Sequence, residues 1–249
     1  MLHDGPMIKV SSATGTVLVE EANTMIEATA VDTAGSRATL RDATPEDAEF
    51  LAWVMLTATR SHLPRGIWDF TVGRDEIEIL DLLAKLNGRG PEHLFHHGRF
   101  LIAEVDGQPA AALSGYDPVA HGYEVLMPVM FELAADSGWT EADLAASLER
   151  YAVVVPVLAE PPAGAWVIES VATAPEYRRH GLVDRLMPAI LDRGRELGFS
   201  VAQISVFIGN EPARCAYLKH GFEIVAEART PEWEAAMGCP GLEHMLRSL

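Results

Sequence analysis

Val171-Ala172-Thr173-Ala174-Pro175-Glu176-Tyr177-Arg178-Arg179-His180-Gly181-Leu182-Val183 joins a β-branched run to an amphipathic one. Upstream, the β-branched content of Trp166 to Thr173 predicts a strand. Downstream, Val183, Leu186, Met187, Ile190 and Leu191 fall on one stripe, which predicts a helix over 183–197 seated against a sheet. A helix N-terminus leaves backbone N–H groups unpaired and carries about +0.5 of a charge, so a turn that gathers such donors beside Arg178 and Arg179 makes an anion site. Gly181 lets the main chain come close to whatever binds there.

Beyond this joint, Val201 to Ile208 reads as a strand, Glu211 to His220 as a helix and Phe222 to Arg229 as a strand, an alternating β-α-β-α-β pattern. Thr230-Pro231-Glu232 opens a short helix closed by Gly238, and Glu243 to Leu249 supplies a last strand. Before the joint, Ala38 to Arg41 is a strand and Thr44-Pro45-Glu46-Asp47 a helix start, with Ala48, Leu51, Ala52, Met55 and Leu56 on the buried face. A second helix covers Ile77 to Leu86. Phe100 to Val105 and Gln108 to Tyr116 form a hairpin, because Asp106-Gly107 accepts the positive φ of a two-residue loop. Residues 117–163 are helical twice, over Glu124 to Asp136 and Glu141 to Val154, and Pro156, Pro161 and Pro162 end that insert. Residues 1–36 show no sustained period and read as an extension, loosely attached or an extra strand. With no internal repeat and no long linker, residues 37–249 make one mixed α/β domain.

The 249 residues are 49% hydrophobic and 22% charged, a balance that excludes a disordered or fibrous chain. The greasiest stretch, Tyr151 to Ala159, is broken by Pro156 and falls short of the roughly 18 apolar residues of a membrane span. A net charge of −17 repels nucleic acid and anionic lipid surfaces. The acids are unevenly spread: Val171 to Thr230 holds eight basic residues against seven acidic ones, so charge directs an anionic ligand to that window. Cys215 and Cys239 form neither a disulfide framework nor a zinc cluster, which fits a reducing compartment. Met1-Leu2-His3-Asp4 opens no presequence, and the expected setting is cytoplasmic.

The joint, as Arg178-Arg179-His180-Gly181-Leu182-Val183, resembles the acyl-CoA signature Arg/Gln-x-x-Gly-x-Gly/Ala of the GCN5-related N-acetyltransferase (GNAT) superfamily, with Val183 where the family carries a small residue. Asn210-Glu211-Pro212-Ala213-Arg214-Cys215-Ala216-Tyr217-Leu218-Lys219-His220-Gly221-Phe222 is similar to the family's Asn-x-x-Ala…Tyr…Gly-Phe segment. The resemblance runs over Arg37 to Leu249, with 117–163 as an unmatched insert. It implies a mixed, mostly antiparallel twisted sheet flanked by helices. It also implies transfer of an acetyl group from acetyl-CoA to a primary amine by direct attack, without a metal.

On that resemblance the cofactor would be held by Val171, Thr173, Arg178, Arg179, His180, Gly181, Leu182, Val183, Asn210 and Ala213, the amides of Val171 and Thr173 binding the pantetheine arm and polarising the thioester. An alkylammonium with pKa ~10.4 is only about 1 part in 2,500 free base at pH 7, so a base or proton-relay water is needed. Glu169, the carboxylate within the strand and expected on one face with Val171 and Thr173, is the candidate base. Tyr217 matches the family's general acid; the rival fate of each residue is structural, an ion-paired strand acid and a packed ring. Cys215, two positions earlier, lies off the helical face of Tyr217.

The resemblance also implies that the connector Arg60 to Phe70 lines the acceptor pocket, where Trp68 and Asp69 would hold a cation, or else Ile67, Trp68 and Phe70 plug the core. The remote acids would favour a cationic acceptor. His93, His96 and His97 have a metal-like look but lack a fourth ligand, and read as an exposed loop. The apolar insert helices would line the pocket or make a homodimer contact. The reading is therefore an N-acyltransferase, and the alternative is a non-catalytic CoA sensor or interaction domain of the same fold.

Overall fold

The computed structural model describes residues 30–31 and 37–249; the expectations for 1–29 and 32–36 lie outside the described residues. The strands are β1 (Ala30–Val31), β2 (Arg37–Asp42), β3 (Phe100–Val105), β4 (Gln108–Tyr116), β5 (Ala165–Thr173), β6 (Val201–Phe207), β7 (Glu223–Arg229) and β8 (Gly241–Ser248). They form one sheet in the order β1-β2-β3-β4-β5-β6-β8-β7. Every neighbouring pair is antiparallel except β5 and β6. The expected mixed, mostly antiparallel sheet is thus present. The β-α-β-α-β alternation does not give three neighbouring strands, because β8 inserts between β6 and β7.

Local chemistry accounts for the element ends. Asp106 and Gly107 take φ of 52° and 78°, the left-handed pair that lets β4 fold straight back on β3. The first helix, α1 (Ala48–Arg60), is entered through a 3-10 turn at Pro45–Asp47. There Asp47 Oδ2 accepts the Thr44 N–H at 2.8 Å, and both Asp47 oxygens take the Arg41 guanidinium. In 117–163 the two expected helices are α5 (Tyr123–Asp136) and α6 (Glu141–Val154), preceded by a further short helix, α4 (Pro118–His121), and followed by a 3-10 turn at Val155–Val157.

Helices cover both faces of the sheet. On one, α1 and α3 (Glu76–Asn87) pack with α5 on Phe100, Ile102, Ala112 and Val167. On the other, α7 (Leu182–Glu196) lays Leu186, Met187, Ile190 and Leu191 on Leu101, Ala103, Leu113, Trp166 and Ile168. Because β3 is buried on both sides, it reads as a continuous apolar run rather than an alternating one. The helix–sheet distance is set by glycine: a Cβ at Gly194 of α7 would lie 2.7 Å from the Trp166 ring. In this stripe Leu182 takes the buried place expected of Val183, which turns toward a cleft instead.

Two irregularities of β5 shape that cleft. Its parallel pairing with β6 runs from Ala165↔Val201 to Val167↔Gln203, although β5 continues to Thr173 and β6 to Phe207; beyond Val167 the two strands part. On the other edge, the register with β4 passes from Ser114↔Glu169 to Ala112↔Ala172, a bulge whose extra residue includes Ser170 at φ 53°. The bulge reverses the alternation: Val167 and Ala172 belong to one core and Ile168 and Val171 to the other. Glu169 therefore does not share a face with Val171 and Thr173, contrary to the expectation from strict alternation.

Candidate active site

A cavity of about 770 Å³ opens where β5 and β6 separate, between α7 and α8 (Glu211–Lys219) on one side and α1, α5 and α6 on the other. Its lining includes Val171, Thr173, Arg178, Arg179, Gly181, Leu182, Val183, Asn210, Ala213, Tyr217, Glu169 and Trp68, so most of the residues singled out from the sequence come together. His180, exposed in the same turn, is not among them, and neither is Asp69.

At the α7 end, Gly181 is the N-cap in the left-handed region, φ 72°, and no side chain caps the helix. The Arg185 N–H donates to the Gly181 carbonyl, which begins the helical pairing and leaves the amides of Leu182, Val183 and Asp184 without intrahelical acceptors. Beyond its neighbours, a Cβ at Gly181 would have Asp184 Oδ2, at 3.9 Å, as its nearest contact, so the space in front of these amides is open. Arg178 donates Nε to the Thr173 carbonyl at 3.3 Å, and neither Arg178 nor Arg179 has a carboxylate partner among the described residues. Asp184 is answered by Lys219 at 2.7 Å and His220 at 3.0 Å, which hold its carboxyl below the usual range. Uncapped amides, two guanidiniums without a carboxylate partner among the described residues and an acid answered by two basic side chains fit the diphosphate of coenzyme A.

The strand gap continues from this turn. The Ala174 N–H donates to Ala110 on β4 at 2.8 Å, so ladder alternation turns the amides of Thr173 and Val171 to the opposite edge, toward β6. Across the gap stands α8, capped by Asn210, whose Oδ1 accepts the Ala213 N–H at 3.3 Å and whose Nδ2 donates to Ser61 Oγ at 2.6 Å. That second bond fastens the start of α8 to the end of α1. Tyr217 on α8 is buried near Phe222, and burial pushes its phenol well above its ordinary pKa. At neutral pH it is an O–H donor rather than a phenolate.

Glu169 lies just before the bulge. Apolar surroundings push its carboxyl up to about 7, against the opposing effect of the Tyr116 hydroxyl, which donates to Oε1 at 3.1 Å. The phenols of Tyr116, Tyr123 and Tyr151 are in turn held above their ordinary range, first by burial and then by the Glu169 charge. These three tyrosines of the cavity wall were missed by sequence reasoning. The hairpin register carried a signal for Tyr116, at the end of the strand beside β5; Tyr123 and Tyr151 sit in the unmatched insert and offered none.

Asp69 has a structural task. It belongs to α2 (Ile67–Val72), a helix within what the sequence suggested was a connector, and its oxygens take Arg60 Nε and NH2 at 3.0 and 2.7 Å and the Gly66 N–H at 2.8 Å. Trp68 on the same helix does line the cavity, edge-on to Phe95. The insert helices line it too, through residues of α5 and α6.

The histidine segment is not an exposed loop: His93 is fully buried, its Nδ1 accepting the Phe95 N–H at 3.1 Å, and burial together with His96 lowers it to about 4. Among the described residues no group of three His, Cys, Asp or Glu is arranged to hold a metal, and no helix is long and apolar enough to cross a membrane. Cys215 and Cys239 are unpaired thiols.

No curated protein sequence matches the chain. Among solved structures, one described as an acetyltransferase superposes with a TM-score of 0.61 at 21% identity, covering 84% of this chain and 98% of its own. An N-acetyltransferase from Staphylococcus aureus Mu50 superposes with a TM-score of 0.60 at 18% identity, over 84% and 99% of the two chains. At those identities the likeness is one of fold. The model of the acetyltransferase (GNAT) family matches residues 63–222, from the turn before α2 to the turn between α8 and β7. With nearly two thirds of its length inside that match, the chain belongs to the GNAT acetyltransferase family.

Proposed function

We propose that the protein is an acetyl-CoA-dependent N-acetyltransferase that acetylates a primary amine by direct attack, with Glu169 as base and Tyr217 as acid. The observation that carries this reading is the parting of β5 from β6 beyond Val167, which puts the free N-terminus of α7 and the carboxyl of Glu169 on one continuous cavity. The amides of Leu182 and Val183, with Arg178 and Arg179, would hold the diphosphate, and Asn210 and Ala213 would border the pantetheine arm. Acetyl-CoA, when bound, supplies an activated acetyl thioester.

The chain's own groups divide the proton work. Glu169, poised near neutrality, accepts the proton that the ammonium must lose, directly or through water; Tyr116 keeps its Oε1 oriented. The Val171 and Thr173 amides, on the edge that faces β6, would serve as fixed donors to the thioester carbonyl. Tyr217, kept protonated by burial, would supply the proton that a departing thiolate needs. No nucleophilic side chain is required. A cytoplasmic setting belongs to the same reading, supported by two free thiols. Release of the CoA thiol from acetyl-CoA on addition of primary amines tests it: amine-dependent release is expected, and hydrolysis unaffected by any amine contradicts it.

A further inference from the structure

The proposed activity leaves the acceptor unnamed, and the half of the cavity beyond Glu169 is built from apolar surface. Its walls are Trp68 and Phe95, then Leu126 and Met130 of α5, then Leu144 and Tyr151 of α6. Two further wall residues, Phe131 and Leu148, are each 39% exposed, although such residues are ordinarily covered, so the apolar surface runs out to the rim. Two of the hydroxyls on this side are committed: Thr59 donates to the Met55 and Leu56 carbonyls and Thr71 to that of Ile67.

Charge is as informative as shape. Among the described lining residues the carboxylates are Glu169 and Asp184, and Asp184 stands at the start of α7 paired with Lys219 and His220. Asp69, which would have offered a second negative charge, is spent on Arg60 and Gly66. The acids that give the chain its net −17, including those on the outer faces of α5 and α6, therefore do not line the cavity apart from Glu169 and Asp184. A second ammonium on the acceptor would be buried without a partner, which is strongly unfavourable. An aromatic or alkyl body would bury its surface against the walls, and the faces of Trp68 and Tyr151 suit it.

We infer that the acceptor is a monoamine on an aromatic or aliphatic skeleton, with its one ammonium at Glu169 and its apolar body between α2, α5 and α6. This rests on the transferase reading above and narrows the expectation of a cationic acceptor to one that carries a single charge.

The test uses the full chain with 2-phenylethylamine and hexylamine against spermidine and kanamycin. Two quantities are read: the melting shift each amine produces in the presence of coenzyme A, and kcat/KM for thiol release from acetyl-CoA. The monoamines should give the larger shift and a kcat/KM at least ten-fold above spermidine. Leu148→Glu, at a half-exposed rim position where a carboxylate costs the fold little, should narrow that ratio at least three-fold while the acetyl-CoA melting shift stays unchanged. Equal or better use of spermidine or kanamycin, or no shift with either monoamine, overturns the inference. Binding of the monoamines with no thiol release by any amine would instead refute the transferase and leave the chemistry of the pocket as inferred.

Discussion

Tyr116 Oη donates to Glu169 Oε1 across 3.1 Å, tying the last residue of β4 to the carboxyl that precedes the bulge of β5. The bond favours the charged form of a group that burial drives toward neutrality. Tyr116→Phe should therefore raise the Glu169 pKa further, moving the acid limb of the kcat/KM profile to higher pH by about half a unit to one unit. The plateau should change less than three-fold. An unshifted limb would mean that another group sets it.

Glu169→Gln removes the proposed base. A loss of roughly 10²- to 10⁴-fold in kcat/KM near pH 7 is expected, shrinking as pH approaches that of the free amine. The same variant has a stability signature. The folded carboxyl titrates near 7 and the unfolded one near 4.5, so the native state binds more protons between those values and its stability falls as pH rises through that window. At about pH 8 Glu169→Gln should be more stable than the parent by on the order of 2 kcal/mol, and the difference should vanish near pH 4. Denaturant midpoints at the two pH values measure it; a constant difference would refute the perturbed carboxyl.

Tyr217→Phe retains the ring that packs near Phe222 and deletes the hydroxyl. Turnover should fall about 10- to 100-fold, an order of magnitude typical of a lost proton donor, with acetyl-CoA affinity within two-fold of the parent. Unchanged turnover would make the residue a packing aromatic.

Gly194→Ala separates two opposed effects. Alanine improves helix propensity by about 1 kcal/mol. Its methyl, however, would stand 2.7 Å from the Trp166 ring, and overpacking of that kind costs about 1–3 kcal/mol. The clash should win, lowering the denaturant midpoint and loosening the seat of α7; a stabilised variant would show that the helix shifts freely.

What the sequence made legible follows from where its signals are local. Asp106-Gly107, the caps at Thr44, Thr140 and Asn210, and the stripe of α7 each act over a few residues, and the elements they mark are present. The turn at Gly181 was legible for the same reason. The face of Glu169 was not, because a bulge shifts alternation by one residue and Ser170 carries no glycine to announce its positive φ. Asp69 deceived because its partners, Arg60 and Gly66, are set by how the chain folds back on the last turn of α1. Tyr123 and Tyr151 come to the cavity that holds Glu169 through tertiary packing of two insert helices, which no spacing rule encodes.

The central claim is that the N-terminus of α7 holds the diphosphate of the acyl donor at the mouth of the β5–β6 gap. Gly181→Glu puts a side chain with its own negative charge at a left-handed position where the wild type leaves open space. Titration calorimetry of acetyl-CoA against the parent and this variant is the direct measurement. The account predicts saturable binding by the parent and at least ten-fold weaker binding by Gly181→Glu, with the far-ultraviolet spectrum of the variant unchanged; equal affinity in a folded variant would contradict it.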